Sequence, residues 1–220
     1  MLNLLVVVIL SYLAGSIPNS IIVGKLVKGI DIREHGSGNA GGTNVFRVLG
    51  WKWGVSVILL DALKGALAVI IIARLYLDNF PFTNATPFDD FTLVQIICGI
   101  SAVVGHIWTV FAGFRGGKGI ATALGFLLML ITIDMLLALV VFTLTVTISR
   151  YISLGSILAA VSIPLILIVR ENIFNVDIPG YHTLLPFITA LVLLVIYTHR
   201  KNIARLMNGS ESKISFVKKK

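Results

Sequence analysis

A glycine-rich polar stretch lies between two long apolar runs and reads Gly36-Ser-Gly-Asn-Ala-Gly-Gly-Thr-Asn-Val-Phe-Arg47. Its four glycines permit backbone angles that other residues rarely adopt, so successive N–H groups can converge on one point. Its short hydroxyl and amide side chains add hydrogen-bonding groups, and Arg47 adds a planar cation that suits a phosphate or carboxylate. This first motif (36–47) therefore favours an anion-binding loop. The alternative is a flexible linker without a chemical role.

A second glycine-rich stretch forms a basic turn after the third apolar run. Gly116, Gly117 and Gly119 bracket Lys118 just before a helix is expected to begin, and Arg115 precedes them. The N–H groups and positive dipole end of a helix start favour a phosphate, and the lysine adds a full charge. The spacing is not that of a Walker A loop. This second motif (115–122) indicates an anion site, against the alternative that its small residues only allow close helix packing.

A third polar cluster follows the last apolar run. His199 and Asn202 are three residues apart and share a face if that helix continues past the membrane, and Arg205 extends the face. Gly209 is suited to end the helix, two residues before Glu211. This third motif (199–211) is either part of a site or a generic basic helix that contacts lipid phosphates, and its spacing leaves both readings open.

Further polar residues interrupt the apolar runs. Asp61 and Lys64 lie at a helical spacing that lets them pair. Ionisable residues inside a membrane are functional candidates by default, but a buried structural pair is at least as good an interpretation. His106 is interpreted as a hydrogen-bonded structural residue rather than a base. The turn after the fifth run carries Ser153 and Ser156, whose hydroxyls are available to a ligand.

The composition identifies the elements that must position these groups. Of the 220 residues, 57% are hydrophobic and 13% are charged, whereas soluble domains carry about 25% charged residues. A spanning helix needs about 20 apolar residues. A single cysteine excludes an internal disulfide, and the first run lacks the basic segment of a cleavable signal peptide. The chain is therefore expected to be an all-α integral membrane protein with one polytopic domain over 1–220. Its apolar runs cover about 2–24, 54–77, 93–112, 119–133, 135–149, 152–170 and 183–199.

Charge placement predicts the orientation. With seven transmembrane helices, 15 of the 18 basic residues fall on one set of alternating connections. The positive-inside rule then places the N-terminus outside and the C-terminus in the cytoplasm. The apolar stretch 119–149 is predicted to be two short spans that fold back at Asp134, because a single span would put the basic tail outside. Segment 78–92 is expected to be an external loop, and the terminal lysines 218–220 are expected to contact anionic lipid.

The sequence argues against several classes of function. The net charge of +8 is explained by membrane orientation, so no nucleic acid partner is expected. The four histidines are scattered and no metal or cofactor is expected. Neither a G-x-S-x-G elbow nor a histidine followed by four residues and an aspartate is present. A transporter would use Asp61, Lys64 and His106 as a polar path, but the cations cluster on one side without a second broken helix. A purely structural lipid-binding subunit leaves the glycine-rich loops unexplained.

The three motifs, taken in order, resemble those of the bacterial membrane glycerol-3-phosphate acyltransferases that use acyl phosphate, the PlsY family. The resemblance covers nearly the whole chain, and only the external loop 78–92 looks long. The matching residues are Ser37-Gly-Asn-Ala-Gly-Gly-Thr-Asn44 with Arg47, Gly116-Gly-Lys-Gly119 with Ala121-Thr122, and His199 with Asn202, Arg205, Gly209 and Glu211.

This resemblance implies acyl transfer from acyl phosphate to glycerol-3-phosphate on the cytoplasmic face of a bacterial inner membrane. The products would be lysophosphatidic acid and inorganic phosphate, in the first acylation of phospholipid biosynthesis, without acyl-CoA or acyl-carrier protein as direct donor. Glu211 would be a structural residue, and either His199 or a substrate phosphate would accept the proton. The catalytic residues would be Ser37, Arg47, Lys118, His199 and Asn202. The substrate-binding residues would be Gly38, Asn39, Gly41, Gly42, Thr43, Asn44, Gly116, Gly117, Gly119, Ser153 and Ser156.

Overall fold

The computed structural model describes residues 2–76 and 82–214. The terminal lysines and the first part of the expected external loop lie outside these residues. The described chain forms two compact units, Met1–Leu130 and Ile131–Lys220, which we call unit 1 and unit 2. The expectation of a single domain stays a prediction.

Unit 1 contains six α-helices among its described residues. The first predicted span is two helices, because Pro18 lacks an N–H group and restricts the residue before it. The apolar stretch nevertheless continues through both, over Asn3–Lys28. The helices are α1 (Leu2–Ser16), α2 (Asn19–Lys28), α3 (Gly42–Leu49), α4 (Trp51–Ile70), α5 (Asp90–Ile107) and α6 (Ile120–Leu130).

Glycines allow the helices of unit 1 to approach closely. Between α4 and α6, a Cβ atom on Gly65 would collide with the carbonyl oxygen of Thr122, and one on Gly125 would collide with that of Ala62. Two further glycines make the same kind of backbone contact between α1 and α5. Small residues at such contacts are typical of helix pairs in membranes, where van der Waals packing drives association.

Unit 2 begins with a helical hairpin. Arg150, with φ of 64°, ends α7 (Thr132–Ser149) and turns the chain into α8 (Ile152–Asn172). At the other end of the hairpin, Arg170 Nη1 contacts both carboxylate oxygens of Asp134 at 2.7 Å. The helices are α7 (Thr132–Ser149), α8 (Ile152–Asn172), α9 (Tyr181–Thr198) and α10 (Arg200–Met207).

The break in the long apolar stretch lies at Ile131, so the predicted turn at Asp134 is wrong. Asp134 is helical and buried, because its ion pair with Arg170 neutralises its charge inside the hairpin. The helix before the break, α6, has 11 residues. It is about 16 Å long, whereas the hydrocarbon core is about 30 Å thick.

Six helical stretches of the described residues are long and apolar enough to span a membrane, and Ile120–Leu130 is a shorter apolar helix. Large apolar side chains such as Leu59, Leu136 and Leu193 are more than half exposed on the protein surface, as lipid contact requires. The protein is thus an all-α membrane protein. The seventh span and the orientation of the termini stay predictions.

Candidate active site

The first motif wraps around the buried side chain of Asn44. The Ser37 N–H group donates to Asn44 Oδ1 at 2.8 Å, and Asn44 Nδ2 donates to the carbonyl oxygens of Ile32 and His35 at 2.8 and 2.9 Å. Gly36 has φ of 62°, and a Cβ atom there would collide with Asn44 Oδ1. Asn44 therefore holds the loop in shape through three hydrogen bonds. Its expected contact with substrate stays a prediction.

The first motif ends in the short helix α3. Gly41 is the residue before α3, and no acidic residue lies in its first turn. A Cβ atom on Gly42 would collide with α4, at the Ile58 side chain and the Gly54 carbonyl oxygen, so a glycine is needed there. Thr43 and Arg47 are one turn apart on α3 and share a face. A helix start and a guanidinium group one turn further along suit a phosphate.

The second motif folds back onto the end of α5. The N–H groups of Gly116 and Gly117 donate to the carbonyl oxygens of Ile107 and His106, each at 3.1 Å. These two N–H groups are used inside the turn, so they hold the motif against α5. Gly119 has φ of +82° and is buried against Ile107. Contacts of the three glycines with substrate stay predictions.

The first and second motifs lie against each other within unit 1. A Cβ atom on Gly117 would come within 2.7 Å of the Ala40 carbonyl oxygen. Arg33, just before the first motif, donates from Nη1 to the carbonyl oxygen of Ala112 at 2.8 Å. Arg33 also pairs with Asp31 at 2.7 Å, and its hydrogen bonds lower the pKa of Asp31 to about 2. This pair was not among the candidate residues predicted from the sequence. Its signal was an acidic and a basic residue two apart at the entrance of the loop.

In unit 2, Glu211 accepts hydrogen bonds from residues of two helices, α8 and α10. Its Oε1 accepts from Ser153 Oγ at 3.0 Å and Asn202 Nδ2 at 2.9 Å, and its Oε2 accepts from Arg205 Nε at 2.6 Å. Burial opposes ionisation of this carboxyl, but the hydrogen bonds from Arg205, Asn202 and Ser153 outweigh it and lower the pKa of Glu211. The geometry agrees with the structural role expected for Glu211. Substrate contacts of Ser153 and Asn202 stay predictions.

His199 separates α9 from α10, so the third motif does not continue α9 as one uninterrupted helix. Its ring Nδ1 lies 2.9 Å from the carbonyl oxygen of Val195. A neutral ring that donates from Nδ1 carries its lone pair on Nε2. The N–H groups of Gly209 and Ser210 close the end of α10 on the carbonyl oxygens of Leu206 and Arg205, as predicted for Gly209. Ser156 is buried, and its hydroxyl donates to a carbonyl oxygen of its own helix.

The structure thus brings the first and second motifs together in unit 1, and the third motif and the Ser153 turn together in unit 2. That all of these groups line one pocket stays a prediction. The fold and these contacts define the class of protein. It is a multi-pass α-helical membrane protein whose polar loops carry cations and hydrogen-bonding groups and contact one another within each unit.

Comparison with known proteins identifies its family. Residues 5–209 match the family model described as glycerol-3-phosphate acyltransferase. The glycerol-3-phosphate acyltransferase of Chlorobaculum tepidum is 46% identical, with 100% of both chains covered. That of Chlorobium chlorochromatii is 45% identical, with 99% of this chain and 100% of the relative covered.

Two solved structures are also similar. They are crystal structures of PlsY (YgiH), an integral membrane glycerol 3-phosphate acyltransferase. The glycerol 3-phosphate form is 38% identical with a TM-score of 0.79 and 96% of both chains covered. The lysophosphatidic acid form is 37% identical with a TM-score of 0.77, covering 96% of this chain and 95% of that one. The chain belongs to the PlsY-type glycerol-3-phosphate acyltransferase family, and it is an enzyme of phospholipid biosynthesis.

Proposed function

We propose that the acyl donor is acyl phosphate and that the products are lysophosphatidic acid and inorganic phosphate. The observation that carries this proposal is the contact between the first and second motifs, each of which brings a cation, Arg47 or Lys118. A reaction between two phosphorylated substrates needs two such phosphate-binding elements side by side. The similarity to PlsY in a glycerol 3-phosphate form and a lysophosphatidic acid form supports the acceptor and the product.

The chemistry of this donor needs no covalent intermediate. Acyl phosphate is a mixed anhydride, so phosphate is a good leaving group. A glycerol hydroxyl oxygen forms a bond to the acyl carbonyl carbon, the bond from that carbon to the phosphate oxygen breaks, and the hydroxyl proton is transferred to an acceptor. Two unit charges 4 Å apart repel by about 4 kcal/mol near a protein surface. Arg47 and Lys118 offset this repulsion and orient the reactants, which is the main task of the protein.

We further propose that a phosphate oxygen of a substrate accepts the proton. His199 is the alternative, because histidine is the side chain that most often acts as a general base. It is also expected to donate to a substrate phosphate, and a ring that donates to Val195 from Nδ1 can donate from Nε2 only when protonated. His199→Gln should therefore weaken substrate binding. Unchanged affinity with lost turnover and a matching shift of the pH–rate profile would assign the base role to His199.

The donor is tested with detergent-purified protein. Release of inorganic phosphate should require both acyl phosphate and glycerol-3-phosphate, and lysophosphatidic acid should form in equal amount. Acyl-CoA supplied in place of acyl phosphate should give no product. Product formation with acyl-CoA as the sole acyl donor would overturn the proposed donor. The absence of any reaction with acyl phosphate in folded protein would overturn it as well.

We propose that the site faces the cytoplasm of a bacterial inner membrane, with the N-terminus outside. Cysteine labelling in intact cells tests this, because the single native cysteine, Cys98, is buried. Cysteines placed at the exposed positions Phe111 and Lys201 should react only after the membrane is permeabilised. A cysteine at Thr83, in the expected external loop, should react in intact cells. Labelling of Phe111→Cys and Lys201→Cys from opposite sides would exclude a shared site.

A further inference from the structure

A cluster of ionisable side chains is buried inside unit 1. Lys64 Nζ lies 3.0 Å from Asp61 Oδ1 and donates to the carbonyl oxygen of Ile17 at 2.8 Å. The same Asp61 oxygen accepts from Asn19 Nδ2 at 2.9 Å and lies 3.6 Å from His106 Nδ1. The cluster thus joins α4, α5 and the break between α1 and α2.

This cluster contacts the second motif through His106 and lies close to Ala40 of the first motif. The His106 carbonyl oxygen accepts the Gly117 N–H group, and a Cβ atom on Gly117 would collide with His106 Nε2. One edge of the imidazole therefore faces Asp61, and the other edge faces the second motif where it meets Ala40 of the first. Asp61, Lys64, His106, Ala40 and Gly117 all border one cavity of about 10 Å³, close to the space that one water molecule needs.

The stability of the fold does not explain why charged residues occupy this buried position. A buried ion pair often contributes no more stability than apolar side chains of the same volume. Its groups do supply hydrogen bonds with fixed directions, which apolar side chains do not. Here the contacts with Asn19 and Lys64 hold the Asp61 carboxylate, which lies 3.6 Å from His106 Nδ1 and so links the network to α5. The carbonyl oxygens of His106 and Ile107, near the end of α5, accept the N–H groups of the second motif.

We propose that Asp61, Lys64 and His106 are positioning residues for acyl transfer, and that their network fixes the first and second motifs relative to each other. The proposal rests on the assignment of these motifs to substrate phosphates. The network touches no reacting atom. It acts through the spacing of the loops that carry Arg47 and Lys118, and a misplacement of about 1 Å in such a group can lower a rate about 100-fold.

The test replaces the network without creating a buried unpaired charge. His106→Leu and the double variant Asp61→Leu/Lys64→Met should keep the folded yield and thermal transition of the wild type. Their kcat/KM should fall about ten-fold or more, and the Kd for glycerol-3-phosphate, measured by calorimetry, should rise. His106→Asn places an amide nitrogen near the position of Nδ1, so it should restore most of the activity lost in His106→Leu.

The matched control is the buried ion pair of unit 2. Asp134→Leu/Arg170→Met removes charges of the same kind at the end of the α7–α8 hairpin away from Ser153, and it should retain wild-type kcat/KM and Kd. Wild-type kinetics and Kd in both apolar network variants would overturn the proposal. It would equally be overturned if activity fell only in step with the thermal transition, or if His106→Asn were folded and as inactive as His106→Leu. The Kd measurement needs no acyl donor, so a wrong donor and a wrong positioning role give different results.

Discussion

Replacing Glu211 with glutamine should loosen the third motif by a measurable amount. Glutamine has nearly the same shape, but one of its two terminal atoms is a donor where the carboxylate accepted. In one orientation its amide nitrogen meets the Arg205 donor, and in the other it meets the Asn202 donor. A hydrogen bond to a charged group contributes about 1.5–3 kcal/mol. We therefore expect a loss of about 2 kcal/mol in the free energy of unfolding.

The assay is thermal unfolding of the detergent-solubilised protein followed by tryptophan fluorescence. A loss of about 2 kcal/mol lowers the Tm by about 4–8 °C for a chain of this size. The exposed Glu34 provides the control, since Glu34→Gln should leave the Tm unchanged. Arg205→Ala combined with Glu211→Gln should lower the Tm by less than the sum of the single changes, because both break the same contact.

The pH dependence of this effect has a definite sign. The folded-state pKa of Glu211 lies below its ordinary value of 4.5. The carboxylate therefore stabilises the fold above that pH, and the contribution is lost as the pH falls through the folded-state pKa. The Tm difference between wild type and Glu211→Gln should be full near neutral pH and should shrink below about pH 4.5. An equal Tm at neutral pH, or a difference that grows on acidification, would refute the assigned role of Glu211.

Three further substitutions test unit 1. Lys118→Ala should reduce turnover about 100-fold or more with little loss of folded yield. The control Lys52→Ala, at an exposed position, should leave turnover unchanged. Near-normal turnover in Lys118→Ala would mean that the second motif is only a packing turn. Gly117→Ala should abolish activity because its methyl group would collide with the His106 ring. In the control Gly113→Ala the methyl group meets open space, so the free energy of unfolding should fall by only about 1 kcal/mol through backbone strain. Asn44→Asp removes both side-chain donors from the first motif and should raise KM for glycerol-3-phosphate; an unchanged KM would mean that the loop keeps its shape without them.

The sequence predicted the membrane helices well and their ends less well. Runs of about 20 apolar residues leave little choice but helices that satisfy their own backbone hydrogen bonds. Breaks depend on side-chain partners that lie elsewhere in the chain. Asp134 looked like a turn because a charge inside an apolar run is costly, but Arg170 from the next helix neutralises it. The sequence left open a helix that continues through His199, because no glycine or proline marks the break there.

The residue types of the first two motifs pointed to a candidate site, which stays a prediction, but they did not show what each residue contacts. The glycines and cations of the first two motifs indicated phosphate binding, but nothing in the sequence indicated that Gly117 is needed for close contact with Ala40 and His106. Nor did the sequence indicate that Asn44 is committed to three hydrogen bonds within its own loop. Such roles depend on the neighbours that folding brings together, and these are far apart along the chain.

These roles fall into two kinds, and the division bears on how the enzyme works. Asn44, Gly117 and Glu211 make contacts that shape a loop or a helix end, whereas Arg47 and Lys118 are proposed to bring the charge that two phosphorylated reactants require. A cation that neutralises charge in a transition state is effective only if it is already in place, because reorganisation during the reaction would consume the stabilisation it provides. Shape-holding residues and charged residues should therefore both affect turnover. The two kinds should be separable, because loss of a shape-holding residue should also lower the thermal transition, whereas loss of the Lys118 charge should leave the fold intact.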